Sequence, residues 1–117
     1  MILVVQGSRN FNDYNIFLFA MRSALSTIKD SGDNELIICS AGPRRVNEMS
    51  LEFTNISQNS LKSMGVKLRT RKVTLDWVKD NIFDVDLLAY FSQPKEPKSP
   101  LVEFAEDKDV EVAIYRY

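Results

Sequence analysis

The feature that most constrains this chain is the alternation of short, apolar, β-rich runs with stretches of helical periodicity. That alternation is the signature of a parallel sheet covered on both faces. Ile2 to Val5 is an uninterrupted apolar run ending at Gly7, as expected for a central buried strand. Leu36 to Cys39 is a second such run, halted by Gly42-Pro43, and Val85 to Phe91 is a third. Val66 to Arg71 is different. Val66 and Leu68 alternate with Lys67 and Arg69, the pattern of an edge strand with one wet face. Val110 to Tyr115 closes the set.

The intervening segments carry helix signals. Asn12 or Asp13 can cap a helix in which Phe17, Ala20, Met21, Ala24, Leu25 and Ile28 share a face. Ser31 to Asn34 is a turn. A second helix is expected from about Arg45 to Met64, with Val46, Met49, Phe53 and Ile56 inward and Gly65 ending it. A short helical segment falls around Asp76 to Ile82, with Trp77 near Phe83 as a core anchor. Ser99-Pro100 opens a last helix through Glu106. Right-handed crossovers and one topological reversal then favour sheet order 3-2-1-4-5. The expectation is a single α/β domain, residues 1–117, of Rossmann-like type, with a five-stranded, mainly parallel sheet and helices on both faces.

Composition narrows the chemistry. A net charge of -1 over 117 residues gives no general reason to expect nucleic acid or an acidic membrane as partner. The single cysteine, Cys39, allows no internal disulfide and lies in an apolar run, as an inert core residue would. No run approaches the roughly 20 apolar residues of a membrane span. Met1 to Val5 is too short for a signal-peptide core, so a cytoplasmic location is expected. Histidine is absent, which removes the commonest general base and zinc ligand. No metal, cofactor or catalytic residue is expected.

In open α/β sheets, ligands lie outside the carboxyl ends of the strands where the order reverses. That places the loop Gln6-Gly7-Ser8-Arg9 at the centre, with the loops after the second and fourth strands beside it. Gly7 allows close backbone approach, Ser8 supplies a hydroxyl, and Arg9 supplies a forked cation for phosphate or carboxylate. The plainer alternative is a glycine that turns the chain and an arginine paired with an acidic neighbour.

Gly7-Ser8-Arg9-Asn10-Phe11-Asn12-Asp13-Tyr14, directly after an apolar strand, resembles the opening motif of the SLOG superfamily, which includes the LOG-type cytokinin-activating phosphoribohydrolases. Leu36 to Gly42 is similar to the strand and glycine-rich loop that follow in that superfamily. Leu75-Asp76-Trp77, Asp86 to Phe91 and Phe104-Ala105-Glu106 resemble its later segments. The resemblance implies a nucleotide or nucleotide-derivative binding module in which Gly7, Ser8 and Arg9 contact the ligand and Gly42 lines the second loop; Ser40, Arg44, Arg45 and Ser92 on the adjacent loops complete the expected ligand-binding positions.

Two departures weigh against turnover. The second loop, Ser40-Ala41-Gly42-Pro43-Arg44-Arg45, keeps one glycine and adds two arginines. These oppose the dipole of the following helix, so they serve an anion or are tolerated at an exposed site. The loop after the fourth strand, Gln93 to Glu103, has no glycine where the phosphoribohydrolases carry a glycine cradle and a catalytic glutamate. Glu103 is one place off that spacing and reads as a solvated first-turn residue. Binding without turnover is therefore the expected function. The alternative is a degenerate relative acting by docking on another protein, such as a phage or mobile-element accessory factor. A nucleotide N-glycosidic hydrolase comes last. Lys67, Arg69 and Arg71, with Lys72 beyond them, form a basic stripe that protects an edge strand or meets phosphates. Asp84 and Asp86 flank the fourth strand, as turn residues or as holders of a ribose hydroxyl.

Overall fold

The computed structural model describes all residues, 1–117. Five strands form one sheet: β1 Ile2–Gly7, β2 Glu35–Ser40, β3 Lys67–Lys72, β4 Leu87–Ser92 and β5 Val112–Arg116. Every pairing is parallel and the order is β3-β2-β1-β4-β5. The apolar runs explain the order. All six residues of β4 are buried, and Leu3, Val4 and Val5 at the middle of β1 are fully buried. Only a strand covered on both faces tolerates such a run. The alternating strand, β3, lies at an edge.

The helices are α1 Tyr14–Ser31, α2 Arg44–Ser63, α3 Leu75–Asp80 and α4 Pro100–Asp107, with a 3₁₀ turn at Ile82–Asp84. Asp13 caps α1, its Oδ1 accepting from the Ile16 amide at 3.1 Å, and Gly32 ends it in the left-handed region at φ 77. Thr74 caps α3 and Ser99 caps α4, where Pro100 occupies the first turn. α2 has no side-chain cap, because Pro43 stands at its N-cap.

Crossovers run outward from β1 through α1 to β2 and through α2 to β3, then back across β1 to β4. The reversal puts α1 and α2 on one face and α3 and α4 on the other. Phe17, Met21, Ile28, Met49 and Phe53 pack with Leu3, Val5, Leu36, Ile38 and Phe91 on the first face. Val78, Ile82, Leu101, Val102 and Ala105 pack with Val4, Cys39, Leu88 and Tyr90 on the second. No helix is long and apolar enough to cross a membrane.

Two sequence expectations are corrected at the side-chain level. Ile56 is 66 % exposed, because the buried face of α2, set by Val46, Met49, Ser50, Phe53 and Thr54, passes on to Ser57 and Leu61. Phe83 is 82 % exposed and does not join Trp77 in a core; Trp77 is half-buried and carries the Arg71 guanidinium 5.1 Å from its ring centroid. Of the two uses open to Asp86 the structural one is seen, its Oδ2 accepting from the Ile2 amide at 2.7 Å.

Candidate functional site

The sheet reverses between β1 and β4, so the loops following them meet at one crevice. The chain fills that crevice itself. The Gly7 N–H donates to the Gly42 carbonyl at 3.2 Å and the Ser8 N–H to the Phe91 carbonyl at 2.9 Å. Phe11, 1 % exposed, stacks on Phe91 with ring centroids 4.4 Å apart and tilts against Tyr117 at 5.0 Å. The Ser8 hydroxyl is hydrogen-bonded to the Tyr117 phenol. Gly7 is small for a packing reason. A Cβ there would lie 3.0 Å from Val46 Cγ2 and 3.3 Å from Phe91 Cβ. The close approach made by Gly7 is therefore to α2 and β4, and the Gly7 and Ser8 amides are both spent on neighbouring backbone carbonyls.

The end of β4 is likewise tied down. Ser92, buried, donates its hydroxyl to the Gln93 carbonyl at 3.0 Å and accepts from Arg116 Nη1 at 3.1 Å. Glu96 folds back over it, accepting from the Tyr90 phenol at 3.1 Å and the Gln93 amide at 2.9 Å. Burial, with the Glu96 carboxylate beside it, pushes the Tyr90 phenol up to about 12. Glu103 is exposed on the first turn of α4, away from these bonds.

The open ground lies one strand over. At the carboxyl ends of β2 and β3, beside the start of α2, a pocket of about 570 Å³ is lined by Ser40, Arg44, Asn47, Glu48, Leu51, Thr70, Arg71 and Lys72. Ser40 and Lys72 are register partners, so their side chains leave the sheet on the same face, the one covered by α2. Thr70 donates to the Ile38 carbonyl at 3.2 Å. Asn47 accepts from the Gly42 amide through Oδ1 at 3.0 Å, which fixes its carboxamide and leaves Nδ2 without a partner. Glu48 is the lining's only carboxylate; Arg44 lies 3.8 Å and Arg45 3.9 Å from it. Arg45 also donates to Asn12 Oδ1 at 2.6 Å, linking α2 to the loop after β1.

The expected ligand positions thus separate into groups. Gly7, Ser8 and Ser92 are buried and internally bonded; Gly42, in the left-handed region at φ 86, shapes the turn into α2. Arg9 is exposed and pairs with no acid. Ser40 and Arg44 face the pocket, with Arg45 at the neighbouring turn. Asn47 and Thr70 were not singled out from the sequence, and Lys72 was seen only as the end of a stripe. Its register with Ser40 was the missing signal. Among the basic stripe, Arg69 pairs with Glu35 at 3.2 Å. A larger recess, about 750 Å³, opens at the opposite end of the sheet beside Glu35, Gln58, Lys62 and Lys67. It lies away from the carboxyl ends of the strands, where this architecture binds ligands.

No family model matches the chain, and no curated protein is similar to it.

Proposed function

We propose that this domain is a binding module for a nucleotide or nucleotide-like phosphorylated molecule, which it holds without turnover. The carrying observation is the positive ground at the carboxyl ends of β2 and β3, beside the start of α2. Arg44 and Lys72 line a pocket there that contains a single carboxylate, and Arg45 stands at the neighbouring turn of α2. Such charge attracts anions, and a volume of several hundred Å³ accommodates a ligand of this size. The resemblance of Gly7 to Tyr14 to the SLOG opening motif supports the same class of ligand. Binding without chemistry fits the crevice. The Gly7 and Ser8 amides are used internally, so neither stands ready to stabilise developing charge.

Calorimetry with a panel of nucleoside mono-, di- and triphosphates tests the reading. Salt-sensitive binding is expected, with the ligand recovered intact by chromatography. Absence of heat for every nucleotide, or release of free base, overturns it.

A second reading, a degenerate relative that docks on another protein, draws on the crevice filled by Phe11 and Tyr117. A panel without heat, together with a stoichiometric protein complex isolated from the native host, selects that alternative.

A further inference from the structure

We infer that the pocket between β2, β3 and the start of α2 is a phosphate site, built to take the dianion of a phosphomonoester. The inference rests on the binding reading above and moves the phosphate away from the glycine loop after β1. Ser40 carries most of the weight. It is only 2 % exposed, it lines the pocket, and its hydroxyl has no hydrogen-bond partner. Every side-chain polar atom sealed from solvent in this protein does have a partner, so the Ser40 hydroxyl opens on the pocket. A buried hydroxyl without a protein partner is a donor left for something else.

The surroundings supply what a phosphate requires. Lys72 leaves the sheet beside Ser40 on the same face. Asn47 is held through Oδ1 and has two free N–H groups on Nδ2. α2 begins here uncapped and with no acid in its first turn; the first helical N–H to find a carbonyl is that of Asn47, to Pro43 at 3.2 Å. The preceding donors and the positive end of a 20-residue helix therefore remain uncompensated, and Arg44 and Arg45 add like charge to them. An anion removes that conflict. A dianion with three acceptor oxygens uses a hydroxyl, a carboxamide, an ammonium and helix N–H groups together.

The test uses inorganic phosphate and adenosine 5′-monophosphate as probes, followed by calorimetry and by ³¹P chemical-shift titration. Both probes are expected to bind the wild-type chain. Ser40→Ala and Lys72→Gln should each weaken binding by about tenfold, the effect of one charge-assisted contact. Ser40→Ala should leave the urea midpoint unchanged, because no intramolecular hydrogen bond is lost. A purely structural serine would lower that midpoint instead. If phosphate binds through Ser40 but no nucleotide does, the phosphate site stands and the nucleotide reading falls. Nucleotides bound equally well by wild type and Ser40→Ala overturn the phosphate site and leave the wider reading intact. A greater loss from Arg9→Ala than from Lys72→Gln also overturns it, returning the phosphate to the β1 loop.

Discussion

The hydroxyl of Ser8 is hydrogen-bonded to the phenol of Tyr117, joining the loop after the central strand to a residue 109 positions away. This bond closes the crevice at the sheet reversal, and the Tyr117 ring lies against Phe11 behind it. Tyr117→Phe keeps the ring and removes the bond. Urea denaturation should show a loss of about 1 kcal/mol. Tyr117→Ala removes the ring contact as well and should cost more. Equal stability of the two variants would mean that the ring adds nothing.

Gly7 is expected to resist even the smallest enlargement. A methyl group there meets Val46 Cγ2 at 3.0 Å and the β4 side chain Phe91 at 3.3 Å. Gly7→Ala should destabilise the fold by about 1–3 kcal/mol through overpacking. A double-mutant cycle with Val46→Ala isolates the clash, since shortening Val46 makes room. A cycle without coupling would remove Val46 as the cause.

Alkaline titration should report on Tyr90. Its phenol is raised from 10.0 to about 12 by burial first and by Glu96 second, so the folded state favours the neutral form. An acid raised in this way contributes stability that is complete below its unfolded value and is lost as pH climbs from 10 towards 12. Burial also raises the Tyr14 phenol, so ultraviolet difference titration should show a late-ionising component that Tyr90→Phe reduces without abolishing. The variant should also flatten the fall in stability over that window.

Glu48 is the one acid lining the basic pocket, where it lies near Arg44 and Arg45. The pairs are exposed, so Glu48→Gln should change stability by less than about 1 kcal/mol. Phosphate affinity should rise by roughly two- to fivefold as repulsion is relieved and both arginines are freed. Unchanged or weaker affinity in calorimetry would place the anion beyond reach of this carboxylate.

Along α2, Phe53→Ala should cost about 3–5 kcal/mol, whereas Ile56→Gln should fall within about 0.5 kcal/mol of wild type. The contrast follows from Phe53 packing against Phe17 while Ile56 faces solvent. Thermal melts of the two variants check it.

The strand order was legible because burial on both faces writes itself into a sequence as uninterrupted apolar runs, and β1, β2 and β4 have them. The basic alternation of β3 marked the edge for the same reason. Helix faces were legible from Val46, Met49 and Phe53 but not at every apolar position. Three residues after Phe53, Ile56 has rotated off the buried stripe of α2, and an apolar identity alone does not report that rotation. At the site, Ser40 and Arg44 could be named from loop position. Lys72 could not be assigned to the same pocket without the parallel register that sets it beside Ser40. Nor could Phe11 be seen as the plug of the crevice. Its role depends on stacking with Phe91, a contact between distant positions for which local sequence carries no signal.

The central place of β1 has a consequence for the order in which the domain can be built. β1 can find β2 early, but its other neighbour, β4, comes only after Leu87. A nascent chain released up to α3 has α1 and α2 over one side of a three-stranded sheet, while Val4 and Cys39 on the other side still lack Leu101, Val102 and Ala105. That half-covered sheet is the species most exposed to aggregation during synthesis. Its open flank is sealed only when β4 inserts beside β1, so the earliest strand of this sheet is among the last to be fully enclosed.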